Sequence, residues 1–286
     1  MIFSLFSSKA RFIKYAIAIL FCAFLIVLNY KETFIWLSER FSSADTYYSH
    51  GYLIPFISFF LIWLKRKELG GSDKELDVWG LVLIIFSLLL NYLSSLTEIF
   101  FVSGFSLIPL FFGISLFFYG KKVTRVILFP LLFLIFMVPL PITAVNSVSF
   151  PMKMFATKSA VFILRNALHV PVKNEGFQLF FPHATLVVEN PCSGLRSLIS
   201  LLALGSIFAY LLKASMSKRI LLFLLSAPIA LASNLVRVIL LSLGVYVYGS
   251  GMSKGLFHDF TGYLVFVMSF CALWLFWRNF QCKDFG

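Results

Sequence analysis

Long apolar runs separated by short polar and basic segments are the dominant pattern of the 286-residue chain. A helix needs about 20 mostly apolar residues to cross the hydrocarbon of a bilayer. Eight runs approach this length and predict eight transmembrane helices, at residues 12–30, 51–64, 78–96, 99–119, 123–140, 194–212, 220–248 and 260–277. The pattern therefore predicts an all-α polytopic membrane protein with a single integral membrane domain over residues 1–286.

The longest segment without a predicted span covers residues 141–191. Helical spacing of the apolar residues over 144–168 predicts a helix that lies on the membrane surface. Two further stretches, 176–181 and 184–189, predict short strands that turn near Pro182. We therefore expect a short extracytoplasmic segment, made of a helix and a β-hairpin, that is too small to be a separate domain.

Composition agrees with a membrane protein and excludes several other classes. Hydrophobic residues make up 60% of the chain and charged residues 13%, whereas a soluble domain has about 25% charged residues. These values exclude a soluble globular enzyme, a disordered chain and a disulfide-stapled secreted domain. The four cysteines and four histidines form none of the usual metal-binding or nucleotide-binding motifs, so neither a metal nor a cofactor is predicted.

The net charge of +12 reads as an orientation signal in a membrane protein rather than as a nucleic-acid surface. With the N-terminus in the cytoplasm, 15 Lys and Arg residues fall on the cytoplasmic side and 7 on the outer side. The distribution predicts that both termini are cytoplasmic and that the segment 141–191 lies outside. No nucleic-acid partner is expected.

A cysteine stands at the predicted outer start of the sixth span. Cys192 is followed by Ser193 and Gly194, and Arg196 comes two residues later. The first turn of a helix favours the thiolate, which is the nucleophilic form of cysteine. Cys192 is therefore a candidate nucleophile; the alternative is a small apolar residue where the helix begins.

The seventh predicted span contains an arginine about 16 Å below its outer end, at 1.5 Å per residue. Arg237 shares a helix face with Asn234, three residues earlier. A charge at this depth costs roughly 2.5–3.5 kcal/mol on the translocon scale, so an ionisable residue here is a candidate for function. The alternative is a structural Arg paired with a carbonyl or carboxylate inside the bundle.

A histidine precedes the last span. His258 lies on the predicted outer side, as does a second candidate, His50. Histidine is the usual general base near neutral pH, although an interfacial histidine among aromatic residues is the simpler interpretation of His258 alone. The predicted topology places Cys192, Arg237 and His258 toward one face of the membrane. A thiol, a base and a fixed cation can together form a thioester-making site.

These residues resemble the exosortase/archaeosortase family of polytopic membrane transpeptidases. The resemblance extends from about residue 47 to residue 277 and follows the order of the motifs: Cys192-Ser193-Gly194, then Asn234 and Arg237, then His258, with Tyr48-Ser49-His50-Gly51 near the start. It implies that Cys192 is the nucleophile, Arg237 its charged partner and His258 the general base. Histidine at the third position resembles the bacterial exosortase branch. Supporting or substrate-binding roles are implied for five further residues: Asn234, Ser193, Gly194, Arg196 and His50.

The resemblance also implies substrates and a location. The substrates would be membrane-anchored proteins whose C-terminal sorting tail has a short Pro-Glu-Pro-type motif, a transmembrane helix and a basic cluster. The enzyme would act in the bacterial inner membrane with its active site toward the outer face, and an amine acceptor or water would resolve the thioester. Two alternatives stay open: a non-proteolytic component of exopolysaccharide export, such as a lipid-linked sugar transporter with Arg237 on phosphate, or an assembly subunit without chemistry.

Overall fold

The computed structural model describes residues 23–43, 46–69, 77–188, 193–253 and 255–282. Contacts between residues divide the chain into two compact units. The first takes in residues 1–42 and 60–139, and the second takes in residues 43–59 and 140–286. The single-domain interpretation stays a prediction, and the two units are described separately below.

The first unit is built around a helical hairpin. Its helices are α1 (Lys31–Ser42), α3 (Arg66–Leu69), α4 (Val78–Thr97), α5 (Phe100–Val126) and α6 (Leu128–Phe133), followed by a 3-10 helix (Leu134–Met137). Small residues allow α4 and α5 to approach closely: a Cβ atom on Gly80 would lie 2.3 Å from the backbone nitrogen of Phe117. Polar contacts add to this packing, because the Asn91 side chain donates to the Asn29 Oδ1 atom at 2.6 Å.

The predicted span at residues 123–140 is wrong as a single helix. Residues 123–140 are divided among the end of α5, helix α6 and the 3-10 helix, and the break between α5 and α6 falls at Ile127, whose ψ of 9° is not helical. Pro139 and Pro141 follow directly and force extended backbone on the residues before them, as the ψ of 116° at Val138 shows. A hydropathy average does not register these interruptions, because the interrupting residues sit in an apolar run.

The second unit contains the segment outside the predicted spans and three helices. In chain order these are α7 (Ile142–Asn166), β1 (Lys173–Glu175), β2 (Gln178–Phe180), β3 (Thr185–Val187), α8 (Leu195–Leu211), α9 (Met216–Tyr248) and α10 (Leu256–Cys282). Two 3-10 helices, Ser49–Tyr52 and Ser250–Ser253, complete it. Helix α9 is central and packs on α7, α8 and α10. It therefore controls where functional side chains can meet.

The three strands form an antiparallel sheet in the order β1-β2-β3. Leu179 of β2 lies opposite Leu186 of β3, and both side chains are buried. The predicted helix and hairpin are confirmed, since α7 covers most of residues 144–168 and β2 and β3 lie within the two predicted strands. Strand β1 was not predicted, because its polar sequence lacks the alternation of a half-buried strand.

By length and composition, four helices of the described chain can cross a membrane: α4, α5, α9 and α10. The number rises to five when residues 128–137 and α7 are counted together as one broken span. Helices α2 (Leu53–Leu64) and α8 are apolar but have only 12 and 17 residues. The all-α membrane class is therefore confirmed and the eight spans are not. The first predicted run, 12–30, lies mostly outside the described residues.

Candidate active site

Helix α9 presents two polar side chains within an apolar sequence, as predicted. Asn234 is 2% exposed and Arg237, one turn later, is partly buried. The side chains share the helix face because residues three apart are neighbours on a helix surface. In hydrocarbon surroundings both need protein partners, and the neighbouring elements supply them.

Arg237 meets His258, which lies in the first turn of α10. The Arg237 Nη2 atom is 3.2 Å from the His258 Nε2 atom and also donates to the His258 carbonyl oxygen at 3.4 Å. A guanidinium has only donors, so Nε2 is the acceptor in this contact. The proton of a neutral His258 therefore belongs on Nδ1. That atom is 3.3 Å from the Asp259 Oδ1 atom, to which it can donate.

Asp259, His258 and Arg237 thus form a continuous polar chain from α10 to α9. The His258 side chain is 22% exposed and that of Asp259 is 67% exposed, so the chain runs from solvent into the bundle. Asp259 orients the imidazole from one side and Arg237 from the other. For the neutral imidazole, these two contacts select the tautomer with its proton on Nδ1 and leave Nε2 as the acceptor.

A glycine on α10 makes room for the guanidinium. Gly262 lies one turn after His258, and a Cβ atom placed on it would be 3.2 Å from Arg237 Nη2 and 3.4 Å from Arg237 Cζ. Thr261, beside it, donates from its hydroxyl to the His258 carbonyl oxygen at 2.8 Å. A side chain at position 262 would therefore press on the Arg237 guanidinium.

If the Arg237–His258 pair acts in catalysis, Gly262→Ala should lower activity severalfold without unfolding the protein. The new methyl group would displace the guanidinium from His258 by a few tenths of an ångström, and a displacement of 1 Å costs about 100-fold in rate. The measurement is activity per unit of membrane-inserted protein. Gly251→Ala is the matched control, because a Cβ atom at Gly251 meets nothing within 4 Å. Equal activity of the two variants would contradict the assigned role of Gly262.

The start of α8 packs against Asn234. Gly194 caps α8 with a φ of 84°, a left-handed conformation that favours glycine, and a Cβ atom there would lie 2.6 Å from the Asn234 Cγ atom. Ser193 is fully buried, and its hydroxyl accepts from the backbone N–H of Leu195 at 3.3 Å. The Ser193–Gly194 turn is therefore fixed one helical turn from Arg237.

The predicted nucleophile, Cys192, lies outside the described residues. So does Cys22, and the side chain of Cys282 is not described either. Cys271 is an exposed free cysteine on α10. The structure does describe Ser193, the residue that directly follows Cys192.

The two remaining predicted site residues, Arg196 and His50, are associated with α8. Arg196 is in the first turn of α8 and is partly buried. His50 belongs to the 3-10 helix Ser49–Tyr52, where its Nδ1 atom is 3.2 Å from the Ser200 Oγ atom of α8 and its ring stacks on Tyr48. His50 is thus attached to the helix that begins just after Cys192. His258, the other candidate general base, is the histidine that contacts Arg237.

Sequence reasoning did not assign two residues of this site. Asp259 reads as a helix cap in the sequence, but it lies inside the first turn of α10 beside the His258 imidazole. Gly262 carries no signal by itself. Its spacing of four residues from His258 places both on one helix face, and that spacing is the only clue the sequence offers.

The fold and the site together define an all-α integral membrane protein with a polar Arg–His site between two of its apolar helices. The model of the transmembrane exosortase family (Exosortase_EpsH) matches residues 36–275 of the chain. No curated protein and no solved structure gives a match. Because the family model covers most of the sequence, including both helices of the site, the chain belongs to the transmembrane exosortase family.

Proposed function

We propose that this protein is a membrane cysteine transpeptidase that cleaves the C-terminal sorting tail of exported proteins. Family membership supports a membrane sorting transpeptidase in general. The observation that carries the assignment to this site is the 3.2 Å contact between Arg237 Nη2 and His258 Nε2. It joins two of the three proposed catalytic groups, and Ser193, the neighbour of the third, belongs to the turn that packs on Asn234.

In the proposed reaction, Arg237 Nη2 first releases His258 Nε2, whose single lone pair it occupies, and Nε2 then takes the proton of the Cys192 thiol. The imidazolium and the Arg237 guanidinium then repel each other, since two like charges about 3 Å apart are unfavourable even in a polar site. A thiolate beside both groups offsets this repulsion, and Asp259 offsets the imidazolium on its other side. Arg237 exchanges its hydrogen bond to Nε2 for one to the new anion.

The thiolate attacks the scissile carbonyl carbon, and Arg237 donates to the oxyanion that develops. The carbon–nitrogen bond breaks, the leaving amine takes the proton from His258, and the helical tail departs. The product is a thioester of Cys192. An acceptor amine or water then attacks this thioester, His258 receives the proton of the attacking group, and the Cys192 thiol is restored.

The proposed location is the bacterial inner membrane, with both termini in the cytoplasm and the site toward the outer face. The excess of Lys and Arg in the predicted cytoplasmic segments supports this orientation. In this orientation the N-terminal ends of α8 and α10 face outward. Ser193 and His258 lie at these two ends, so both would be on the outer side.

Trapping of the intermediate tests the function. The full-length enzyme in liposomes is mixed with a substrate from the same genome that ends in a short motif, a transmembrane helix and a basic cluster. Acid quenching followed by mass spectrometry should show the tail-less substrate joined to the peptide that contains Cys192, and hydroxylamine should release it. Cleavage without an adduct, or an adduct on another cysteine, contradicts the mechanism. If tailed proteins stay intact while lipid-linked sugars are translocated, the transporter alternative is correct.

A further inference from the structure

Helix α7 has an exposed face on which aromatic and basic residues alternate. Phe155 and Phe162 are 54% and 68% exposed, and Lys158 and Arg165, three residues after each, are exposed as well. This spacing puts all four on one side of the helix. We call these four residues, with Val148 two turns before Phe155, the outer face of α7.

The opposite side of α7 is already covered by the protein. Its small and apolar side chains are buried against the sheet and the last third of α9: Ala156, Ala160 and Leu164 of α7 cluster with Leu179, Leu186, Leu241 and Val245. A third basic residue of α7, Lys153, is held on this side, where its ammonium lies 4.0 Å above the Phe177 ring. The orientation of α7 about its own axis is therefore fixed, and the outer face must meet the surroundings.

The sheet sets the depth of α7 relative to the membrane. Its edge strands, β1 and β3, carry backbone groups that need water or protein partners, so the sheet cannot face hydrocarbon. The sheet packs on α9 near Val245, close to the end of that helix at Tyr248. Helix α7 is not among the helices of the described chain that are apolar enough to cross a membrane alone. These observations favour a position of α7 at the level of a membrane surface.

Charge indicates what covers the outer face. Residues 142–188 contain four Lys or Arg residues and a single carboxylate, Glu175. A surface that combines exposed phenylalanines with cations is typical of helices that insert their apolar side chains at the acyl boundary while their cations stay among the headgroups. Water alone would leave both phenylalanines exposed, and an apolar protein partner would leave the cations without counter-charge.

We propose that the outer face of α7 lies in the headgroup layer of the bilayer and binds anionic phospholipids. Phe155 and Phe162 insert at the acyl boundary, and Lys158 contacts phosphate oxygens. The Arg165 Nε atom donates to the Val172 carbonyl oxygen at 2.6 Å, so Arg165 contacts phosphate through its Nη atoms. This anchors the end of α7 and the sheet, and with them the outer end of α9, to the membrane surface. The proposal is independent of the reaction assigned to Cys192.

Depth-dependent quenching of tryptophan tests the position of the face. Phe155→Trp and Phe162→Trp variants of the full-length protein are reconstituted in bilayers whose lipids carry bromine at shallow or deep acyl positions, and the signal of the unsubstituted protein is subtracted. Phe266→Trp is the control, because residue 266 lies about 15 Å along α10 from its start at 1.5 Å per residue. We expect shallow bromines to quench the tryptophans introduced at positions 155 and 162 best, and deep bromines to quench the one at position 266 best.

The same variants test the lipid chemistry. Brominated phosphatidylglycerol and brominated phosphatidylcholine are each added as a minor component, and the ratio of quenching reports local enrichment of the anionic lipid. We expect a severalfold ratio at position 162, in line with about a fivefold preference per cation near an anionic surface. The ratio should fall to about one in Lys158→Gln combined with Arg165→Gln. It should stay unchanged with Lys213→Gln, which lies outside α7.

Three results would overturn the proposal. Quenching at 155 and 162 that matches position 266 in depth would make α7 a membrane-spanning helix. No quenching at either position would mean that water or another protein covers the face. Shallow quenching without a preference for phosphatidylglycerol would leave an interfacial helix that does not select anionic lipid.

Discussion

Cys192→Ala is expected to abolish processing of tailed substrates while leaving the protein folded and inserted. Alanine keeps the small size of the side chain but removes the only atom that can form the thioester. Without the thiol, water would have to attack the scissile carbonyl directly. Only Arg237 and His258 would then lower the activation barrier, so cleavage should be too slow to detect. Uncleaved precursor should accumulate, measured by its size on gels and normalised to inserted enzyme.

The chain offers a matched control for this variant. Cys271 is an exposed free cysteine on α10, the helix that also carries His258. Cys271→Ala should process substrate at the normal rate, as should Cys22→Ala and Cys282→Ala. Full processing by Cys192→Ala would remove the cysteine mechanism. Loss of activity in Cys271→Ala as well would point to a general effect of cysteine substitution on the helix bundle.

Arg237→Lys is expected to lower turnover by about 100- to 1000-fold, the usual cost of losing one placed donor to an oxyanion. Lysine keeps a positive charge but lacks the planar fork of donors. In the structure a single nitrogen, Nη2, contacts both the imidazole and the carbonyl oxygen of His258. Lysine is shorter and has one nitrogen, so it cannot contact His258 and donate to the substrate oxyanion from separate nitrogens as a guanidinium can. Arg237→Ala should be at least as inactive.

The structural alternative for Arg237 makes a different prediction. If Arg237 only joins α9 to α10, Arg237→Ala lowers the amount of protein, and the enzyme that remains has normal specific activity. Turnover per unit of membrane-inserted enzyme separates the two cases. Arg219→Lys is the control, because Arg219 is a partly buried arginine near the other end of the same helix. Near-normal specific activity in Arg237→Ala would leave Cys192 and His258 as the site.

The order of polar residues along an apolar chain was sufficient to indicate the class of protein. Arg237 and Asn234 stand out because burying a polar side chain in hydrocarbon costs free energy. A polar residue kept at such a position indicates either a function or a specific pairing inside the protein. The hairpin at residues 176–189 could also be read directly, since alternation and a proline turn are local signals. Family membership rests on the same linear information, and the family model confirms it.

The number of spans could not be read in this way. A hydropathy run shows that a segment is apolar, but not that it forms one continuous helix. Within the run 123–140 the α-helical backbone breaks at Ile127 and changes to a 3-10 helix at Leu134, and neither apolar residue lowers the average hydropathy of the run. Helices α2 and α8 show the converse: their apolar sequences resemble spans but end after 12 and 17 residues.

The sequence by itself determined that this is a helical membrane protein of the exosortase family, and it provided Cys192, Arg237 and His258 as separate candidates. Only the tertiary structure decided that Arg237 and His258 are in contact, that Asp259 faces the imidazole and that Gly262 makes room for the guanidinium. These contacts depend on the rotation and separation of α9 and α10, which are set by packing over their whole length. No local pattern in either helix encodes them.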